Sequence, residues 1–159
     1  MTANDPFVSY VAGFFDGEGS IDIRYDVKAN KNGKSYERFS LRVCVVQMDR
    51  TPLDMIAERW GGSVSKRTAN NCHTWVATTA SACSFLSELL PYLIVKRREA
   101  EIGVAFQATM RARDAGVERV SDGVRQQRYD LMIDLRNVRL DKGVFARPRA
   151  NVPETRGVH

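Results

Sequence analysis

In the stretch VAGFFDGEGSI, residues 11–21, two carboxylates, Asp16 and Glu18, stand among Gly13, Gly17 and Gly19, where an apolar helix should be finishing. A helix C-terminus carries partial negative charge, so acids in its last turn cost about 0.3–1 kcal/mol where a lysine would help. Something else must favour them. Calcium bound in an EF-hand loop requires acids or amides at loop positions 1, 3 and 5 and glycine at 6, whereas counting from Asp16 gives Glu18, Ser20 and then Ile21. A dinucleotide loop lies between a strand and a helix, and these glycines follow a helix and precede a strand. Both readings fail. The other ligand-forming residues offer less. Cys44, Cys72 and Cys83 are odd in number and form no C-x-x-C, which argues against a disulfide framework or zinc ribbon. With only His73 and His159 there is no histidine-rich site, and Cys72-His73 reads as two ordinary strand residues.

The elements that must position the acids are legible around them. Asp5-Pro6 is an N-cap with proline at the first helical position, and Phe7, Tyr10, Val11, Phe14 and Phe15 recur at helical spacing, predicting a helix over 6–16. From Ile21 the period changes to two. Ile21, Ile23, Tyr25 and Val27 share one face, and Asp22, Arg24, Asp26 and Lys28 share the other. After an Asn-Gly turn signal at 32–33, Phe39, Leu41, Val43 and Val45 alternate with Arg38, Ser40, Arg42 and Cys44, which completes a hairpin. A short helix from Thr51-Pro52 stops at Gly61-Gly62. Strands over 63–68 and 72–79 form a second hairpin, with Val64, Trp75 and Ala77 on the core side. Helices follow over 81–90, over 92–116 and over 123–139, the last with Tyr129, Met132, Ile133 and Leu135 apolar. The segment from 141 has no period and two prolines, and is expected to be a disordered tail.

At 159 residues and 43% hydrophobic, the chain has room for one core, expected over residues 1–140. The fold class is α+β, αββαββα, with helices on one face of a curved antiparallel sheet and the other face left open. That open face carries Arg24, Lys28, Arg38 and Arg42, and Arg67 if the second hairpin keeps register. Asp22 and Asp26 also fit a plainly solvated face of mixed charge, but a cationic two-stranded ribbon can enter a nucleic-acid groove. The net charge of +5 and pI near 9.3 suit a polyanionic partner without requiring one. Cysteine usage and the absence of a leader or long apolar run lead to the expectation of an intracellular protein, in cytoplasm or organelle, with no membrane association.

YVAGFFDGEGSI, residues 10–21, resembles the signature of the LAGLIDADG homing endonucleases, with Val11 through Gly19 in the nine signature places, Val11 replacing the leading leucine and Glu18 the second aspartate. The resemblance to the single-motif branch covers about residues 7–140. It implies a homodimer in which this helix packs on its copy across a two-fold axis, with Ala12, Gly13, Asp16 and Gly17 at the interface and small residues permitting close backbone approach. It further implies a double-strand DNA endonuclease acting on a long, near-palindromic site, serving intron homing. Magnesium is the implied cofactor, with manganese or calcium as other occupants, at a site formed by Glu18 and Gly17. Gln47 and Lys96 match the family's active-site glutamine and lysine and join Glu18 as the implied catalytic set. Arg50 sits at a spacing that departs from the pattern. Arg24, Lys28, Arg38, Ser40, Arg42, Arg67 and Thr74 are the implied contacts to double-stranded DNA. The same fold also serves intron RNA maturases and catalytically inactive DNA-binding proteins, which is the competing expectation.

Overall fold

The computed structural model describes residues 5–110 and 120–142. Its order is α1 (Pro6–Glu18), β1 (Gly19–Ala29), β2 (Ser35–Gln47), α2 (Thr51–Trp60), β3 (Ser63–Lys66), β4 (His73–Thr78), α3 (Thr79–Leu89), α4 (Arg97–Ala108) and α5 (Asp122–Asp141). The strands form one antiparallel sheet in the order β1-β2-β4-β3, and the helices cover one of its faces.

Local chemistry accounts for the boundaries. Asp5 caps α1, its Oδ1 accepting from the backbone N–H of Phe7 at 2.9 Å and of Val8 at 3.4 Å, and Pro6 begins the helix. The helix runs to Glu18, a half turn beyond the expected end, and passes directly into β1 at Gly19. A side chain at Gly19 is sterically excluded, because a Cβ there would lie 2.1 Å from the Phe15 ring. The β1–β2 connection is a five-residue loop in which the Asn30 side chain accepts from the N–H groups of Asn32 and Lys34, so the Asn-Gly signal marks a turn but not a two-residue one. Gly61 and Gly62 end α2 with φ of 76° and 91°, values that favour glycine.

Alternation along the strands sends Ile21, Ile23, Phe39, Leu41, Val43, Val45, Trp75 and Ala77 into a core shared with Val8, Val11, Phe15, Phe85 and Phe106 from the helices. Phe85 lies at its centre, with ring centroids 5.0 Å from Phe15, 5.1 Å from Trp60 and 4.8 Å from Trp75. Arg59 of α2 ties the helical layer together by pairing with Asp5 at 2.7 Å and Glu88 at 2.9 Å.

Two expectations are corrected. The helix expected over 92–116 begins only at Arg97, because the N–H groups of residues 94–96 bond to Asp16 and take no part in a helical ladder. Its expected end falls outside the described residues. The last helix, expected to end at 139, continues through Asp141, and the Lys142 ammonium reaches back to Val95 O and Glu99. Residues 143–159, the rest of the expected tail, also lie outside the described part. Among the described residues no helix is long and apolar enough to cross a membrane.

Candidate active site and nucleic-acid interface

The two acids of α1 have different surroundings. Asp16 is half-buried and accepts three successive backbone N–H groups, from Ile94 at 2.8 Å and Val95 at 3.1 Å on one oxygen and from Lys96 at 2.9 Å on the other. Such a run of N–H groups forms a small anion-binding concavity. Burial pushes the Asp16 carboxyl up, but the three N–H groups and the nearby Lys96 charge outweigh it and hold the group below the usual carboxylate range. In return the Lys96 ammonium donates to the Asp16 carbonyl, putting a cation at the C-terminal end of α1 where the helix dipole favours one. Glu18, one step further round, is exposed and makes no hydrogen bond or ion pair among the described residues.

Chain geometry brings the other implied catalytic positions to this corner. Gly19 pairs with Val45, so Glu18 at the end of α1 and Gln47 at the end of β2 flank the same end of the first hairpin. Gln47 is half-buried, with its Oε1 accepting from Met48 N at 2.7 Å. Lys96 is pinned there by Asp16. Burial pushes the Lys96 amine down, Glu99 and Asp16 pull it up, and the neighbouring Lys142 and Arg139 charges push it down again, leaving it below the usual lysine value. Arg50 points its guanidinium at Asp54, both carboxylate oxygens lying 3.0 Å away, and is thereby engaged within α2.

The outer face of α1 presents Tyr10 stacked on Phe14 at 6.1 Å, together with Gly13 and Gly17, which are exposed. Among the described residues, a Cβ at either glycine would meet nothing within 4 Å. Two of the four implied interface residues are placed differently. Ala12 is 0% exposed and packs in the chain's own core, because it lies on the helix face shared with Val8, Val11 and Phe15. The Asp16 carboxylate is occupied by the 94–96 loop, as described above.

The open face of the sheet carries Arg24, Lys28, Arg38, Ser40 and Arg42 on the first hairpin, with Arg24, Lys28 and Arg38 exposed and Ser40 and Arg42 half-buried. Arg67 lies just past β3 and is exposed, and its N–H bonds Cys72 O at 2.7 Å, so the second hairpin keeps register to that point. Thr74 is a correction. It occupies the interior strand β4 between Val46 and Ser65, is 8% exposed, and its hydroxyl has no partner among the described residues. Covered by neighbours on both sides, it is poorly placed to reach a base.

Sequence reasoning missed the groups that brace this corner. Glu99, which no motif singles out, is 6% exposed and receives Lys142 Nζ at 3.3 Å and Arg139 Nε at 3.9 Å. At the far end of the hairpin, Tyr25 and Tyr129 donate to Glu37 at 2.7 and 2.8 Å, and Arg125 pairs with the same carboxylate, fixing α5 to β1 and β2. Arg128 of α5 is buried and holds the end of α4 through Thr109 O at 2.8 Å. No local sequence signal reveals these partners, which lie 12 to 92 residues away. Among the described residues no group of three or more His, Cys, Asp or Glu side chains could hold a metal.

An open-faced antiparallel sheet with a carboxylate at the helix–strand junction defines a class, and comparison identifies it. The family model for LAGLIDADG endonucleases matches residues 11–99, more than half of the chain, and the chain belongs to that family. The fold is that of homing endonucleases. An archaeal intron-encoded homing endonuclease complexed with DNA matches at TM-score 0.65 and 19% identity over 82% of each chain. The homing endonuclease I-CvuI, in complex with the I-CreI target in the presence of magnesium, matches at 0.66 and 20% over 82% of this chain and 80% of that one. Against meganuclease I-SmaMI bound to uncleaveable DNA, 92% of this chain covers only 46% of the other, at TM-score 0.57 and 17% identity. Among curated proteins no sequence matches.

Proposed function

We propose that the chain is a site-specific DNA endonuclease that acts as a homodimer, hydrolysing both strands of a long, near-palindromic target with magnesium, in the service of intron homing. Family membership supports the endonuclease activity itself. The observation that carries the finer reading is the state of the α1 end: an unpartnered Glu18 carboxylate beside a helix face whose glycines have open space in front of them. A cationic sheet face opening from the same corner supplies the surface for a DNA duplex.

One chain supplies one carboxylate and the Gly17 backbone at this point. That set is too small for an all-protein cage but suits magnesium, which keeps waters and is held through one or two carboxylates plus phosphate oxygens. Glu18 and the Gly17 carbonyl would hold the ion, with calcium or manganese as substitutes, and when bound it supplies Lewis-acid stabilisation of the phosphate and an acidified water. The chain's own groups then divide the remaining work. Gln47, with a side-chain amide at the hairpin end, orients the attacking water. Lys96, held against the α1 terminus, offers positive charge to the phosphate as negative charge develops on it. Arg24, Lys28, Arg38 and Arg42, with Ser40 and Arg67, hold the duplex in register.

The test is Glu18→Gln, which removes the charge and keeps the shape. With magnesium and a broad library of DNA sites, the wild type cuts selected sites, and the variant binds them while cutting at least about a hundredfold more slowly. Equal cutting by the variant, or no cutting by the wild type, overturns the endonuclease reading in favour of a binding protein of the same fold.

A further inference from the structure

The first hairpin carries a charge pattern that phosphate binding alone does not explain. On its open face β1 reads Asp22, Arg24, Asp26, Lys28, and β2 reads Arg38, Ser40, Arg42. Register sets Asp22 opposite Arg42 and Asp26 opposite Arg38, with Arg24 facing Ser40 between them. A surface made only to grip phosphates has no use for carboxylates, which phosphate repels. In a surface made only to be solvated, each acid would be expected to close on the arginine across the ladder, since opposed charges there attract. Neither rung is closed. Asp22 lies 3.9 Å from Arg24 along its own strand, and the side chains of Asp26, Arg38 and Arg42 make no hydrogen bond or ion pair among the described residues.

The major-groove edge of a G·C pair presents two acceptors on guanine, N7 and O6, followed by a donor, the cytosine amino group. Arginine meets the two acceptors with a fork of N–H donors, and a carboxylate accepts from the amino group. An Asp–Arg rung therefore carries the complement of an entire G·C pair. An A·T pair breaks that match, since a donor on adenine follows its first acceptor and an acceptor stands on thymine. Resting on the endonuclease reading, the geometry points to Asp22–Arg42 and Asp26–Arg38 as two specificity-determining rungs, each selecting one G·C pair. The rungs stand four residues apart along β1, about 13 Å at 3.3–3.4 Å per residue, and base pairs stack about every 3.4 Å. Each half-site accordingly carries G·C at two positions about four base pairs apart. The inner is read by Asp22–Arg42 beside the α1 end and the outer by Asp26–Arg38.

The experiment is a binding selection with the full-length chain on DNA randomised across the half-site, with calcium replacing magnesium. The wild type enriches G·C at two positions about four base pairs apart. Asp26→Ala lowers the preference at the outer position by about tenfold or more and leaves the inner one unchanged, while Asp26→Asn moves the outer preference toward A·T, since asparagine pairs with adenine. Circular dichroism of both variants checks that the sheet is intact. An enriched site without G·C at that spacing, or a variant that alters all positions alike, overturns the rung assignment while leaving the endonuclease reading standing. No enriched sequence at all overturns both.

Discussion

Asp16 and Glu18 lie two residues apart on one helical turn and are used in opposite ways. Asp16 is spent inside the chain, on three N–H groups 78 to 80 residues away. Glu18 is left open. The cost of an acid at a helix C-terminus is offset for Asp16 by those N–H groups and by Lys96, so the tie should be measurable as stability. Asp16→Asn keeps the size and loses the charge, and is expected to destabilise the fold by about 1–3 kcal/mol at pH 7. Because the folded-state carboxyl is held below its unfolded value near 3.9, its contribution is fully present above about pH 4 and is lost as pH falls through the folded value. Urea melts between pH 3 and 7 check the sign. The gap between wild type and variant narrows on acidification, and a gap independent of pH would show that the tie adds no charge-dependent stability.

At the scale of elements, α4 reaches the core through Gly103. A Cβ there would stand 3.0 Å from Leu86 of α3, 3.1 Å from Leu41 of β2 and 3.5 Å from Ile21 of β1. Gly103→Ala improves helix propensity by about 0.5–1 kcal/mol, but it overpacks a junction of three elements at a cost of about 1–3 kcal/mol. The expected net result is a lower melting temperature by calorimetry, and a higher one would mean that the side chains around the site yield easily. Only part of this architecture was legible in the sequence. The strands and hairpins read correctly because period-two alternation from Ile21 to Val45, and turn residues such as Gly61-Gly62, act over a few residues. The start of α4, the burial of Glu99 and the role of Lys142 did not, because each depends on a partner that the fold brings from elsewhere. Ala12 and Thr74 show the same limit in single positions. The family motif marks Ala12 as small without saying which face it serves, and alternation puts Thr74 on the open face while neighbouring strands cover it.

For the whole molecule, the outer face of α1 is the surface that the chain's own folding leaves unexplained. Two glycines inside a helix cost about 0.5–1 kcal/mol each relative to alanine, and among the described residues nothing within 4 Å requires them. Tyr10 and Ile94 stand exposed, Ile94 at 85%, Tyr10 on the same helix and Ile94 in the loop that Asp16 holds. Close approach by a second backbone would account for small residues here, just as the proposed paired active sites need two copies of Glu18 at one seam. Gly13→Leu tests this without disturbing the single chain, because the new side chain projects into open space. Sedimentation is expected to show the wild type as two copies and the variant as one. The variant's helical spectrum should be unchanged and its cutting of both strands reduced by at least about a hundredfold, since each copy would then act without its partner. A wild type that sediments as one copy both free and on DNA, or a variant that still pairs, would remove the reason offered for these glycines and with it the two-fold symmetry expected of the target.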